Sequence, residues 1–77
     1  MNNLKTFLVY YEKNLYLSVQ RYPEDYDYPI SEVPEVFARM AAAIQNGTFN
    51  KDSRAIKLTC KQLGIKHTYK AIEEFIL

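Results

Sequence analysis

The sequence contains one cysteine, two glycines and no long apolar run, and each scarcity excludes a class of protein or site. With Cys60 alone, the chain can form neither an internal disulfide nor a multi-cysteine zinc site, which fits a reducing compartment. Gly47 and Gly64 are far apart, so there is no glycine-rich loop of the kind that binds phosphates. No run approaches the roughly 20 apolar residues of a membrane-spanning helix, and the N-terminus lacks a signal-peptide pattern. We therefore expect a soluble, cytoplasmic protein.

Candidate catalytic side chains are also sparse. His67 is the only histidine, and no second group is evident that would hold its tautomer for acid–base work. Cys60 lies on a predicted apolar stripe, where burial would leave its thiol inert. The acidic pair Glu73 and Glu74 is adjacent along a predicted helix and does not converge on one site. We expect a protein that is not an enzyme and that uses no metal or cofactor.

The composition describes one small globular domain, with 77 residues of which 48% are apolar and 25% charged. The net charge of +1 conceals a strong segregation along the chain. Residues 23–35 carry five acidic side chains and no basic one, whereas residues 51–70 carry six lysines and arginines against a single aspartate. Such patches decide which partners the surface attracts.

The N-terminal segment 6–22 is rich in β-branched and aromatic residues and has no glycine or proline, which predicts a β-hairpin turning at residues 12–14. The register that buries most apolar surface places six side chains on one inward face. These are Phe7, Val9, Tyr11, Leu15, Leu17 and Val19. Tyr10 and Tyr16 then pair across the outward face, beside Leu8.

After an acidic loop at residues 23–31, the spacing of apolar residues predicts three helices, at about 34–46, 53–63 and 68–76. The expected fold is therefore α+β, a ββααα order in which the hairpin packs on three α-helices. Predicted N-caps are Ser31 or a near neighbour for the first helix, Asp52 or Ser53 for the second, and His67 or Thr68 for the third. The predicted core is Phe7, Val9, Leu15, Leu17, Val19, Phe37, Met40, Ile44, Ile56, Leu63, Ile72 and Phe75.

Residues 59–72 provide the main functional lead, because Leu63, Gly64 and Ile65 join two predicted helices through a glycine turn. This segment resembles the core of helix-turn-helix DNA-binding domains. The resemblance implies that the second helix presents its first side chains to the major groove. It departs from the family pattern at Lys70, which stands where many members have a buried apolar residue. A simple corner between two helices would show the same pattern.

The sequence supports two functional hypotheses. The first is binding of DNA or RNA by the residues Arg54, Lys57, Lys61, Lys66, His67, Thr68 and Lys70. The second is binding of a host protein by a small inhibitor or adaptor, similar in size and character to the proteins that phages and mobile elements encode, anti-CRISPR proteins included. The predicted interface residues are Tyr10, Tyr16, Glu24, Asp25, Tyr26, Asp27 and Tyr28. A homodimer is compatible with either hypothesis.

Overall fold

The computed structural model describes residues 3–77, which fold into helices without any strand in that range. The four α-helices are α1 (Asn3–Arg21), α2 (Val33–Asn46), α3 (Arg54–Leu63) and α4 (Tyr69–Ile76). Two 3₁₀ turns, Pro23–Asp25 and Ile30–Glu32, lie in the acidic connection between α1 and α2.

The predicted α+β fold is therefore wrong, and its N-terminal β-hairpin is replaced by the single 19-residue helix α1. The buried positions of α1 show why. Phe7, Tyr11 and Leu15 recur every four residues, and Asn14 and Ser18 extend the same face. This spacing follows the 3.6-residue period of a helix. With that period, the two polar side chains of Asn14 and Ser18 also lie on the inward face. The outward-facing pair of Tyr10 and Tyr16 does not exist, because the two side chains project from different sides of α1.

Helix α1 is the centre of the fold, with α3 packed most extensively against it and α2 and α4 against other parts of its surface. Helix α3 runs antiparallel to α1. Arg54, at the start of α3, lies on the Tyr22 ring just beyond the end of α1, while Gln62, near the end of α3, reaches Asn14 in its middle. Phe75 of α4 contacts the Phe7 ring, with 6.4 Å between their centroids.

Helices α2, α3 and α4 lie close to the three segments that the sequence predicts as helical. Both glycines end a helix in the left-handed conformation, with φ of 73° at Gly47 and at Gly64. After Gly64, the Ile65 amide donates to the Cys60 carbonyl at 2.9 Å. Ser31 is not a cap, since the residue preceding α2 is Glu32 and no side chain caps that helix.

The core includes most but not all of the predicted residues. The fully buried apolar side chains are Phe7, Tyr11, Leu15, Val19, Val33, Ile44, Phe49, Ala55, Ile56, Cys60 and Ile72. Phe37, Met40, Leu63 and Phe75 are partly buried against them. Val9 and Leu17 are not core residues, because they are 49% and 51% exposed on the outer side of α1. The hairpin register placed them inward, and a helical period places them outward.

Candidate binding surfaces

Four lysines of the predicted nucleic-acid surface are exposed and form no ion pair with residues 3–77. Lys57 and Lys61 lie one turn apart on α3, whereas Lys66 lies in the connection that follows it and Lys70 in the first turn of α4. Their positive charges are therefore available to an anionic partner. Side chains four residues apart on a helix point in the same direction, so Lys57 and Lys61 act on one side of α3.

Arg54 has a different environment from these lysines. Its guanidinium lies 3.0 Å from the Asp25 carboxylate and 3.9 Å from the centre of the Tyr22 ring. The hydrogen bond to Asp25 raises the pKa of Arg54, although the group stays exposed to solvent. The acidic connection is thus attached to the start of α3, which the sequence did not predict.

Asp52 forms a second charge cluster just before α3. Its carboxylate lies 3.1 Å from the Lys51 ammonium and 3.8 Å from Nε2 of His67. His67 is exposed. Thr68 is the N-cap of α4, where its hydroxyl accepts a hydrogen bond from the Ala71 amide at 3.1 Å. Three of the seven predicted nucleic-acid contacts, Arg54, His67 and Thr68, therefore already have partners inside the chain.

The connection between α3 and α4 differs from a short helix-turn-helix turn. It spans five residues, 64–68, whereas the motif uses a turn of three or four residues. The start of α4 lies beside the segment before α3, where the rings of Phe49 and Tyr69 are 5.1 Å apart. Helix α4 also exposes Glu73 and Glu74, whose charges oppose contact with phosphates. This arrangement differs from the recognition helix that the resemblance implies.

The residues predicted as a protein interface lie in two separate places. Tyr10 is 39% exposed on α1, while Tyr16 is half-buried against the core. Tyr26 and Tyr28 pack on the core and meet edge to face, with their ring centroids 5.7 Å apart. Glu24, Asp25 and Asp27 are exposed. The structure thus leaves the acidic side chains accessible and turns most of these tyrosines towards the core.

Sequence reasoning missed a surface on which α1 and α3 lie side by side. Its lining residues are Tyr10, Lys13, Leu17, Arg21, Tyr22, Arg54, Leu58 and Gln62. A helical reading of α1 would have found it, since Tyr10, Leu17 and Arg21 share one side at that period. The hairpin reading separated them.

Within residues 3–77, no group of three or more His, Cys, Asp or Glu side chains is placed to hold a metal ion. No helix in the same range combines the length and the apolar character that crossing a membrane requires. Cys60 is buried, and that burial raises the pKa of its thiol above the ordinary value. A protonated, inaccessible thiol is a poor nucleophile.

No protein-family model, curated protein or solved structure matches this chain.

Proposed function

We propose that this chain is a non-enzymatic nucleic-acid-binding protein that contacts the phosphate backbone of DNA or RNA. The observation that supports the proposal is the set of four exposed lysines, Lys57, Lys61, Lys66 and Lys70, that have no acidic partner among residues 3–77. They occupy consecutive parts of the chain, from α3 through the connection into α4. Lysines of this kind bind phosphates as mobile point charges.

We expect this protein to contact the phosphate backbone rather than to read the bases. Phosphate contacts position a protein on nucleic acid, whereas sequence is read by side chains that reach base edges. The helix-turn-helix resemblance implies that Thr68 and His67 contact bases. In the structure, Thr68 is the N-cap of α4 and His67 lies beside Asp52. We therefore expect similar affinities for unrelated sequences.

The proposal gives a quantitative salt dependence. Each phosphate that a protein neutralises on duplex DNA contributes about −0.9 to the slope of log K against log salt. Four lysine contacts would give a slope of about −3 to −4. Reversing the charges of Lys57 and Lys61 should weaken binding and reduce that slope to about −2 or less in magnitude.

The test is fluorescence anisotropy with labelled duplex DNA, single-stranded DNA and duplex RNA at several salt concentrations. Lys57→Glu/Lys61→Glu and Lys66→Glu/Lys70→Glu examine the two lysine pairs. Lys61→Glu alone should weaken binding far more than Arg39→Glu, which makes the same charge change at an exposed position of α2. Binding that is absent at low salt, or equally affected by Arg39→Glu, would contradict the proposal.

A second candidate function is binding of a protein target, as in a small inhibitor or adaptor. The observation that favours it is the exposure of two large apolar side chains, Tyr10 and Leu17, on the side of α1 that adjoins α3. Apolar side chains that stay exposed together are typical of interaction sites. Failure of every nucleic-acid titration, with this surface still intact, would make protein binding the leading function.

A further inference from the structure

Two neighbouring shallow pockets lie between the antiparallel helices α1 and α3, and we refer to them together as the α1–α3 groove. Tyr10, Leu17 and Leu58 supply its apolar lining, with Leu17 shared by its two halves. Leu17 is 51% exposed and Tyr10 39% exposed. From Tyr10 to Arg21 the groove follows α1 for about 16 Å, or three helical turns.

The bottom of the groove is held by hydrogen bonds. The Asn14 side-chain amide donates to the Thr59 hydroxyl at 2.9 Å and to Oε1 of Gln62 at 3.0 Å, so that α1 and α3 are joined directly beneath it. A fixed base of this kind presents the apolar side chains at a constant spacing, which reduces the ordering cost of binding.

The charges around the groove have one sign. Lys13 and Arg21 lie along its α1 side, and no acidic side chain lines either half. Arg54 closes one end, where Asp25 already neutralises it. An incoming surface must therefore offer apolar side chains at its centre and carboxylates at its edges.

We propose that the α1–α3 groove binds an acidic amphipathic helix of a partner protein, with about three turns of that helix in contact. Apolar residues three or four positions apart would cover Leu17 and Leu58, and flanking carboxylates would meet Lys13 and Arg21. This is the helix-in-groove form of recognition. It is independent of the proposed nucleic-acid function, because Lys57 and Lys61 do not line the groove.

Three other occupants fit the groove less well. Nucleic acid offers phosphates to Lys13 and Arg21 but would leave the aliphatic side chains of Leu17 and Leu58 without apolar partners. A second copy, meeting this one groove to groove, would bring like charges together. The chain's own acidic connection, residues 22–32, is broken by prolines and by two 3₁₀ turns, so it does not supply an amphipathic helix.

The test uses a synthetic stapled helix of three turns, with leucines at positions i, i+4 and i+7 and glutamates on both flanks. A matched peptide with lysines in place of the glutamates is the control. Binding is followed by amide chemical-shift changes in the full-length protein and by anisotropy of the labelled peptide. We expect the acidic peptide to shift resonances of Tyr10, Leu17 and Leu58, and to bind more weakly as salt increases.

Leu17→Glu should weaken that binding by about tenfold or more, as expected for a central apolar contact. Val9→Glu is the matched control, because Val9 is 49% exposed on the same helix but faces a different groove, lined by Phe37 of α2. It should leave the affinity nearly unchanged. Circular dichroism checks that both variants stay folded. Lys13→Glu provides a second test, on the α1 side of the groove.

Several results would overturn the proposal. These are the absence of shifts at the groove, equal binding of the basic peptide, and equal losses in Leu17→Glu and Val9→Glu. Duplex DNA that shifts the same groove resonances would assign the surface to nucleic acid instead. A dimer that Leu17→Glu dissociates would assign it to a second copy.

Discussion

The side-chain amide of Asn14 donates a hydrogen bond to the Thr59 hydroxyl across 2.9 Å, and both residues are buried between α1 and α3. Thr59 in turn donates to the Ala55 carbonyl at 2.7 Å. A buried polar group that loses its partner costs about 1–3 kcal/mol. We therefore expect Asn14→Leu, which retains the branched shape of the side chain but not its hydrogen-bonding groups, to lower the free energy of unfolding by at least that amount in urea titrations.

A double-mutant cycle checks whether the loss comes from this bond. Replacing both partners by apolar groups of similar shape restores most of the lost stability in such pairs. The double variant Asn14→Leu/Thr59→Val should therefore lose about 0.5–2 kcal/mol less free energy of unfolding than the sum of the losses in the two single variants. Strictly additive effects would show that the two side chains do not stabilise the fold through each other.

Asn14 also shows why the sequence led to the wrong fold at the N-terminus. The prediction placed it in a turn because asparagine is common there, and because the residues around it are β-branched or aromatic. Its actual role depends on Thr59 and Gln62, which lie more than 40 positions away along the chain. A contact of that separation leaves no local signal. Helices α2 and α3 end at Gly47 and Gly64, and the apolar residues of α2, α3 and α4 follow helical spacing, so the approximate positions of these helices could be predicted.

Helix α4 begins with a functioning cap, whereas α3 does not. The Thr68 hydroxyl accepts from the Ala71 amide at 3.1 Å, but the side chain of Ser53, the N-cap of α3, caps no amide. The buried Oγ of Ser53 has no hydrogen-bond partner within residues 3–77. Thr68→Ala should therefore cost about 1 kcal/mol, the usual value of such a cap.

Ser53→Ala is the natural control for the cap of α4. Removing a buried hydroxyl without a partner should change the free energy of unfolding by less than about 0.5 kcal/mol, or increase it. Thr68→Ser retains the accepting oxygen and should stay close to the parent protein in stability. Equal losses in Thr68→Ala and Ser53→Ala, measured by chemical denaturation, would contradict this difference between the helices.

The candidate binding surface could be predicted only in part from the sequence, as Arg54 shows. The sequence identifies it as one of a basic row with Lys57 and Lys61, because their spacing is helical. Its partners, Asp25 and Tyr22, belong to a segment that the sequence describes only as acidic and irregular. Local patterns therefore locate charge on a helix, whereas the fold decides which of those charges remain available to a partner.

Arg54 should hold the acidic connection in place. Within that connection the Asp25 amide donates to the Tyr22 carbonyl at 3.0 Å, and the Tyr26 amide donates to the Pro23 carbonyl at 3.3 Å. We expect Arg54→Ala to accelerate hydrogen exchange at both amides, because the guanidinium contacts the same turn. The effect should resemble that of high salt, which screens exposed ion pairs.

Lys57→Ala is the matched control for Arg54→Ala, since Lys57 is exposed on the same helix and has no ion pair with residues 3–77. Its exchange rates at Asp25 and Tyr26 should equal those of the parent protein. If both variants accelerate exchange alike, general loosening of α3, rather than loss of the Arg54 contact, would be the cause.

Tyr11 should make the fold sensitive to alkali. The side chain is only 2% exposed and stacks on Phe37, with ring centroids 6.2 Å apart. Burial, assisted by the nearby Tyr28 and Tyr26, raises the pKa of Tyr11 above the ordinary value. Below pH ~10 the phenol is protonated in the folded and unfolded chains alike, so the contribution of Tyr11 to stability does not change with pH there. As the pH rises further, the unfolded chain loses the proton while the folded chain keeps it, and stability falls by up to about 1.4 kcal/mol per pH unit.

Tyr11→Phe removes this sensitivity while retaining the aromatic ring, so its free energy of unfolding should decline less steeply with alkaline pH. Tyr28, whose pKa is also raised by burial and by nearby charges, is less buried and should contribute less in the variant Tyr28→Phe. Urea titrations at several pH values between 8 and about 11.5, together with phenolate absorbance, measure both quantities across the relevant range. A parent protein and a Tyr11→Phe variant that decline in parallel would show that the buried phenol does not control the alkaline limit.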